Sequence, residues 1–97
     1  MKEAFSKLAK LKRNIDQREK TLKRLKSERK NWAGDQGRIR ANLSKVPRNS
    51  DIHRKYLQRL NAHEKKIETV MGKLDGARIS LDKAKTALSD FIQNLTL

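Results

Sequence analysis

The amino-acid sequence predicts an all-α protein, an antiparallel two-helix coiled-coil hairpin forming one domain over residues 1–97. Three observations predict this fold. Apolar residues recur at the 3,4 spacing of a heptad in both halves of the chain. The one proline, Pro47, lies between the halves beside good helix-starting residues. Only 35% of the residues are hydrophobic and 37% are charged, which suits helices that each bury a narrow stripe.

The first helix is expected at about residues 2–45. Its apolar seam has three polar interruptions, Arg18, Arg29 and Gln36, and we expect both arginines to bend their guanidinium groups out to water. Two glycines within residues 34–37 weaken helical structure, so a break there, giving three helices, is the structural alternative. The apolar a and d positions hold Leu8, Leu11, Ile15, Leu22, Leu25, Trp32, Ile39, Leu43 and Val46.

The turn is expected at about residues 46–49. Proline lacks an N–H and disfavours helical geometry in the residue before it, so the first helix should end ahead of Pro47. Asn49 and Ser50 are both suitable N-cap residues, and Asp51 would place a negative charge in the following first turn. Because the connection is short, the second helix should fold back antiparallel against the first.

The second helix is expected at about residues 50–95. Leucine or isoleucine occupies every seventh position of its seam, and smaller or aromatic residues occupy the complementary positions. The first series is Leu60, Ile67, Leu74, Leu81, Leu88 and Leu95, and the second is Tyr56, His63, Val70, Ala77, Ala84 and Phe91.

An antiparallel register in which facing residue numbers add to about 99 places large residues against small ones at two layers. It sets Trp32 opposite Ile67, and Gln36 opposite His63 in a polar layer. The polar layer is open to two interpretations, a tolerated weak layer or one that sets the register. The same register brings together three flanking charge pairs, namely Glu28 with Lys73, Asp35 with Lys66 and Glu19 with Arg78.

The formal net charge is +14, and residues 1–46 carry 15 basic against 5 acidic side chains. Such a surface could bind nucleic acid through phosphates, in a salt-sensitive and sequence-independent manner, although no exposed aromatic residues interleave with it to stack bases. The alternatives are a solvated exterior, an anionic membrane surface or an acidic protein. The candidate polyanion-binding residues are Lys10, Lys12, Arg13, Lys20, Lys23, Arg24, Lys26 and Lys30.

Apolar residues also lie just beside the seam. The candidate self-association residues are Phe5, Leu57, Met71 and Ile92, of which the last three share the e position of the second helix. They widen the apolar stripe beyond what one partner helix covers. We therefore expect a protein partner or a homo-oligomer, such as two hairpins pairing into a four-helix bundle.

Several classes of function find no support in the sequence. There is no cysteine, and His53 and His63 lack a third ligand at metal spacing. A two-helix hairpin offers no concave interior for catalysis, so we expect no enzymatic activity, no cofactor and no small-molecule substrate. No apolar run approaches a membrane span and no signal peptide is evident, so a soluble protein, cytoplasmic by default, is expected.

Short motifs occur between residues 36 and 70. They are Gln36-Gly37-Arg38-Ile39-Arg40-Ala41-Asn42-Leu43, Pro47-Arg48-Asn49-Ser50, Tyr56-Leu57 and Leu60-Asn61, followed by Glu64 and Ile67-Glu68. This stretch resembles the C-terminal helical region of the bacterial mucoidy-inhibitor-like proteins, a family of unknown function. The resemblance implies a helical hairpin appended to a larger, mostly β-rich protein, of which this chain would be a piece. It implies no catalytic residues.

Together these observations predict a non-enzymatic interaction or scaffolding module. The alternative is a sequence-independent nucleic-acid binder that uses the basic first helix.

Overall fold

The computed structural model describes residues 2–95 and shows two long α-helices joined by a short turn. Helix α1 spans Lys2–Leu43 and helix α2 spans Asp51–Gln93. No residue of the described part lies in a β-strand. The predicted all-α helical hairpin is therefore confirmed. Residues 1, 96 and 97, the ends of the predicted domain, lie outside the described residues.

Helix α1 continues without a break through residues 34–37, so the three-helix alternative is wrong. Its two glycines, like the two in α2, adopt no left-handed backbone conformation. A Cβ atom placed at any of the four would meet no atom within 4 Å, so the bare backbone faces open space. The helix tolerates these glycines because their neighbours supply enough interhelix packing. The four are Gly34, Gly37, Gly72 and Gly76.

Helix α1 ends at Leu43, two residues before the expected end of the first helix. The N–H of Ser44 still bonds to the carbonyl four residues back, that of Arg40, at 3.2 Å. From Lys45 onward the backbone tightens, since the N–H of Lys45 bonds to the carbonyl of Asn42 at 3.1 Å, only three residues back. This tighter spacing satisfies carbonyls that the helix end would leave unpaired.

The start of α2 is determined by Ser50. Its hydroxyl oxygen accepts the N–H of His53 at 3.2 Å, the bond that defines an N-cap, and the hydroxyl donates to the carbonyl of Pro47 at 2.7 Å. Of the two predicted cap residues the structure thus selects Ser50. Asn49 instead supplies the turn, with a left-handed φ of 66° that asparagine tolerates better than most residues.

Contacts between the helices form two compact units, described here separately. The turn unit comprises Leu25–Lys73 and contains the turn; the terminal unit comprises the described residues of 1–24 and 74–97. The turn unit buries Leu25, Gln36, Ile39 and Val70, and the terminal unit buries Leu74, Leu81 and Ala84. All seven lie on the predicted seam. No large side chain among the described residues is completely enclosed, so each core is thin.

Polar groups around the seam behave partly as expected. Arg18 and Arg29 are exposed, as predicted. The rings of His63 and Trp32 make a T-shaped contact, with their centroids 4.9 Å apart, while the buried Nδ1 atom of His63 has no hydrogen-bond partner in the described structure. Gln36 is buried, but the described side chains show no hydrogen bond between it and His63.

The three expected interhelix charge pairs are absent from the described structure. Asp35 pairs with Arg38, and Arg78 approaches Asp75 at 3.8 Å, in each case three residues away in the same helix. A neighbour in the same helix is held close by the backbone, whereas a partner on the other helix must be reached by two extended side chains. Local pairs therefore form at Asp35 and Arg78, whereas the ion pairs of the described residues include neither Glu19 nor Glu28.

Candidate functional site

The first candidate surface is the row of e positions along α2. We call it the e edge, and it consists of every seventh residue, namely Leu57, Glu64, Met71, Arg78, Lys85 and Ile92. All six side chains are exposed. The first three belong to the turn unit and the last three to the terminal unit.

The apolar members of this edge are unusually open for large hydrophobic residues. Leu57 is 42% exposed, Met71 45% and Ile92 51%. In the terminal unit Phe5, which occupies the e position of α1, is 68% exposed. All four candidate self-association residues therefore keep at least two fifths of their surface exposed within their own hairpin.

The second candidate surface is the basic exterior of α1. All eight candidate polyanion-binding residues are exposed. They occupy b, c, e and f positions, so they form a broad positive surface and not a single line. The ion pairs of the described residues join Arg38, Arg54 and Arg78 to aspartates, and none of these ion pairs uses any of the eight.

A third surface was not predicted, and it lies in the turn unit beside Trp32. The indole ring is half-buried, with His63 in T-shaped contact and the Nζ atom of Lys66 5.3 Å from the ring centroid. An open groove of about 300 Å³ runs past the ring. We call it the Trp32 groove, and it is lined by Glu28, Trp32, Lys65, Lys66, Thr69, Val70 and Lys73.

A second open groove of the turn unit lies beside Tyr56 and has a volume of about 430 Å³. The guanidinium carbon of Arg59 is 6.0 Å from the centre of the Tyr56 ring. His63, whose ring contacts Trp32, also lines this second groove. We call it the Tyr56 groove, and it is lined by Asp35, Arg38, Ile39, Asn42, Tyr56, Arg59 and His63.

Sequence reasoning missed these grooves because both aromatic residues lie on the seam. A seam position predicts burial, and the expectation was accordingly that no aromatic ring would interleave with basic residues. In the structure both rings are only half-buried, and each has a cation near its face. The available signal was an aromatic residue at a seam position of one helix together with lysines flanking the facing seam of the other, such as Trp32 with Lys66.

Other kinds of site are not found among residues 2–95. No cluster of three or more histidine, aspartate or glutamate side chains is placed to hold a metal ion. Neither described helix contains a stretch apolar enough to cross a membrane.

Comparisons with protein-family models, with curated proteins and with solved structures give no match to this chain.

Proposed function

We propose that this protein is a non-enzymatic interaction module whose partner is a second copy of the same chain. The observation that supports the proposal is the exposed e edge of α2, with its three open apolar residues. Two hairpins joined along this edge would form a four-helix bundle, in which each hairpin covers the apolar residues that the other exposes.

The order of residues along the e edge favours a second copy over an unrelated partner. When two copies of α2 run antiparallel with facing residue numbers that add to 149, each residue meets a suitable partner. Leu57 meets Ile92, Glu64 meets Lys85, and Met71 meets the aliphatic stem of Arg78.

This pairing is self-complementary, because exchange of the two copies leaves the set of contacts unchanged. Isologous contacts of this type are the commonest way in which soluble proteins form dimers. The driving force is burial of apolar surface. Leu57, Met71 and Ile92 would gain contacts in the dimer that the thin core of a single hairpin does not provide.

Charge reversal at Glu64 and Lys85 tests the proposal. Glu64→Lys or Lys85→Glu alone places like charges together at two symmetric positions, so we expect the dimer dissociation constant to rise about tenfold. The combined change Glu64→Lys with Lys85→Glu restores opposite charges and should restore the affinity. Sedimentation equilibrium of the full chain at moderate salt measures the dissociation constant.

Asp90→Lys is the matched control, because Asp90 is exposed on the same helix but occupies a c position, on the side of α2 away from the e edge. It makes the same charge change as Glu64→Lys and should leave the dimer nearly unaffected. A chain that is monomeric at all concentrations would contradict the proposal. So would a double variant that associates no better than the two single variants.

Nucleic-acid binding through the basic exterior of α1 is the second candidate function. It is supported by the exposure of all eight candidate residues and by the net charge of +14. Replacement of Lys20, Lys23, Arg24 and Lys26 by glutamine should then weaken binding to any sequence and flatten its salt dependence. We also propose, from the motifs of residues 36–70, that the chain belongs to the mucoidy-inhibitor-like family.

A further inference from the structure

We infer that the Trp32 groove of the turn unit is a binding site for single-stranded nucleic acid, in which a base stacks on the indole ring and lysines hold the adjoining phosphates. The inference extends the second candidate function but depends on different residues. Either can therefore fail without the other.

The groove places an aromatic platform among cations. The rings of Trp32 and His63 make a T-shaped contact, at an interplanar angle of 70°. Lys65, Lys66 and Lys73 line the same groove, against a single carboxylate, that of Glu28. Proteins that bind single strands without sequence preference combine these two features, a stacking ring and a basic track.

The Lys66 ammonium near the Trp32 ring can be replaced by an incoming base. In the free protein its ammonium lies 5.3 Å from the centroid of Trp32, and its side chain is exposed. Stacking of a base on an aromatic ring is stronger than an exposed cation–π contact. An incoming base can therefore replace the ammonium on the ring, and the displaced ammonium is then free to pair with a phosphate of the same strand.

The Tyr56 groove offers a second position for the strand. Its chemistry is similar, with Tyr56 beside Arg59, although the other arginine of the lining, Arg38, is paired with Asp35. His63 lines this groove and contacts Trp32 in the other, so the two grooves adjoin within the turn unit. Two aromatic platforms in adjoining grooves can accept more than one unstacked base of a continuous strand.

The geometry favours a single strand over a duplex. Trp32 and Tyr56 are both half-buried between the helices, so a base must leave its stack to lie on either ring. Bases of a single strand can do this readily, whereas those of a duplex must first unpair. A diffuse phosphate contact, by comparison, would accept both kinds of nucleic acid.

Trp32 is the only tryptophan of the chain, so its fluorescence reports directly on the groove. We would titrate the full chain with an oligothymidine of about 12 nucleotides, within the range of site sizes known for single-strand binders. The inference predicts saturable quenching by the single strand and at least tenfold weaker binding of a duplex of equal length. Absence of quenching, or preference for the duplex, would overturn it.

Two charge-matched variants distinguish binding in the Trp32 groove from binding on the exterior of α1. Lys65→Gln, Lys66→Gln and Lys73→Gln together should weaken binding of a labelled oligothymidine at least tenfold, measured by fluorescence anisotropy. Lys10→Gln, Lys20→Gln and Lys23→Gln together remove the same charge from the exterior of α1 and should weaken it far less. Equal weakening by the two triple variants would refute the groove and leave the second candidate function standing.

Trp32→Leu tests the stacking contribution separately, with circular dichroism to check that the helices persist. We expect a loss of affinity of about tenfold for the single strand, in the range found when one stacked aromatic is removed. Unchanged affinity in a folded Trp32→Leu protein would contradict the inference. Should this variant fail to fold, the two lysine variants decide the question, because all six lysines are exposed.

Discussion

At the scale of single residues, the position of the turn depends on Ser50 and Asn49. The hydroxyl of Ser50 bonds both to the N–H of His53 and to the carbonyl of Pro47, so one side chain connects the turn to the first turn of α2. Asn49 takes the left-handed conformation that lets the chain reverse. Neither role requires the rest of the helix to be formed, since every partner lies within four residues.

Ser50→Ala removes the N-cap, and we expect the free energy of unfolding to fall by about 1 kcal/mol. For a chain of this size that corresponds to a decrease in the melting temperature of roughly 4–8 °C. Circular dichroism at a fixed protein concentration measures it. Ser27→Ala, at an exposed position within α1, is the control and should not lower stability, because alanine favours a helix interior more than serine does. Equal decreases in the two variants would argue against the cap.

At the scale of the helices, α1 and α2 persist through four internal glycines. Glycine lowers helix stability because it has more conformational freedom to lose on folding than alanine has. The space around each glycine is empty, so nothing in the described packing requires the absence of a side chain. The glycines therefore weaken the helices without serving close approach between them.

Replacement of all four glycines by alanine should raise the free energy of unfolding by roughly 2–4 kcal/mol, the sum of the usual gain at each site. Urea denaturation should show a higher midpoint with an unchanged slope. The reverse change Ala33→Gly, at an exposed position of α1, is the control and should lower stability by about 1 kcal/mol. A quadruple variant no more stable than the wild type would contradict the expectation that these glycines weaken the helices.

At the scale of the whole molecule, the charge of +14 opposes folding and self-association but favours binding of polyanions. Salt screens all of these effects, because the Debye length falls from about 10 Å at 0.1 M to about 3 Å at 1 M. The proposed dimer and any nucleic-acid complex should therefore respond to salt in opposite directions. A salt titration can therefore distinguish the two candidate functions.

We expect the melting temperature of the protein to rise as sodium chloride is increased from about 0.05 M to 0.5 M, because repulsion among the basic residues is screened. Differential scanning calorimetry at constant concentration measures the change. The variant Lys10→Gln, Lys20→Gln and Lys23→Gln, with a net charge lowered from +14 to +11, should show a smaller rise. A melting temperature that falls with salt would mean that attractive ion pairs outweigh the repulsion.

Much of the fold was predictable because it depends on local rules. The heptad spacing located each buried residue of the core, among them Leu25, Val70 and Leu74, since seven residues return a side chain to nearly the same face of a helix. The proline and the capping residues placed the turn within two residues for the same reason, because their effects act over one helical turn.

Other features could not be predicted, because they depend on competition between partners. Asp35 pairs with Arg38 and not with Lys66. The sequence places both cations within possible reach of the carboxylate, so spacing alone does not decide between them. The exposure of Trp32 depends on how far the two backbones separate around a large ring. The heptad pattern predicts that Trp32 lies on the seam, but it does not predict how deeply the side chain is buried.

The sequence by itself therefore determined two helices, their seam, the turn between them and the residues left along the e edge, because periodicity and capping act over a few residues. Only the tertiary structure decided that Trp32 and Tyr56 border open grooves, each with a cation near the ring. The physical reason is that a groove is formed by side chains from both helices. Its shape depends on the packing of those side chains in three dimensions, which no pattern along one helix contains.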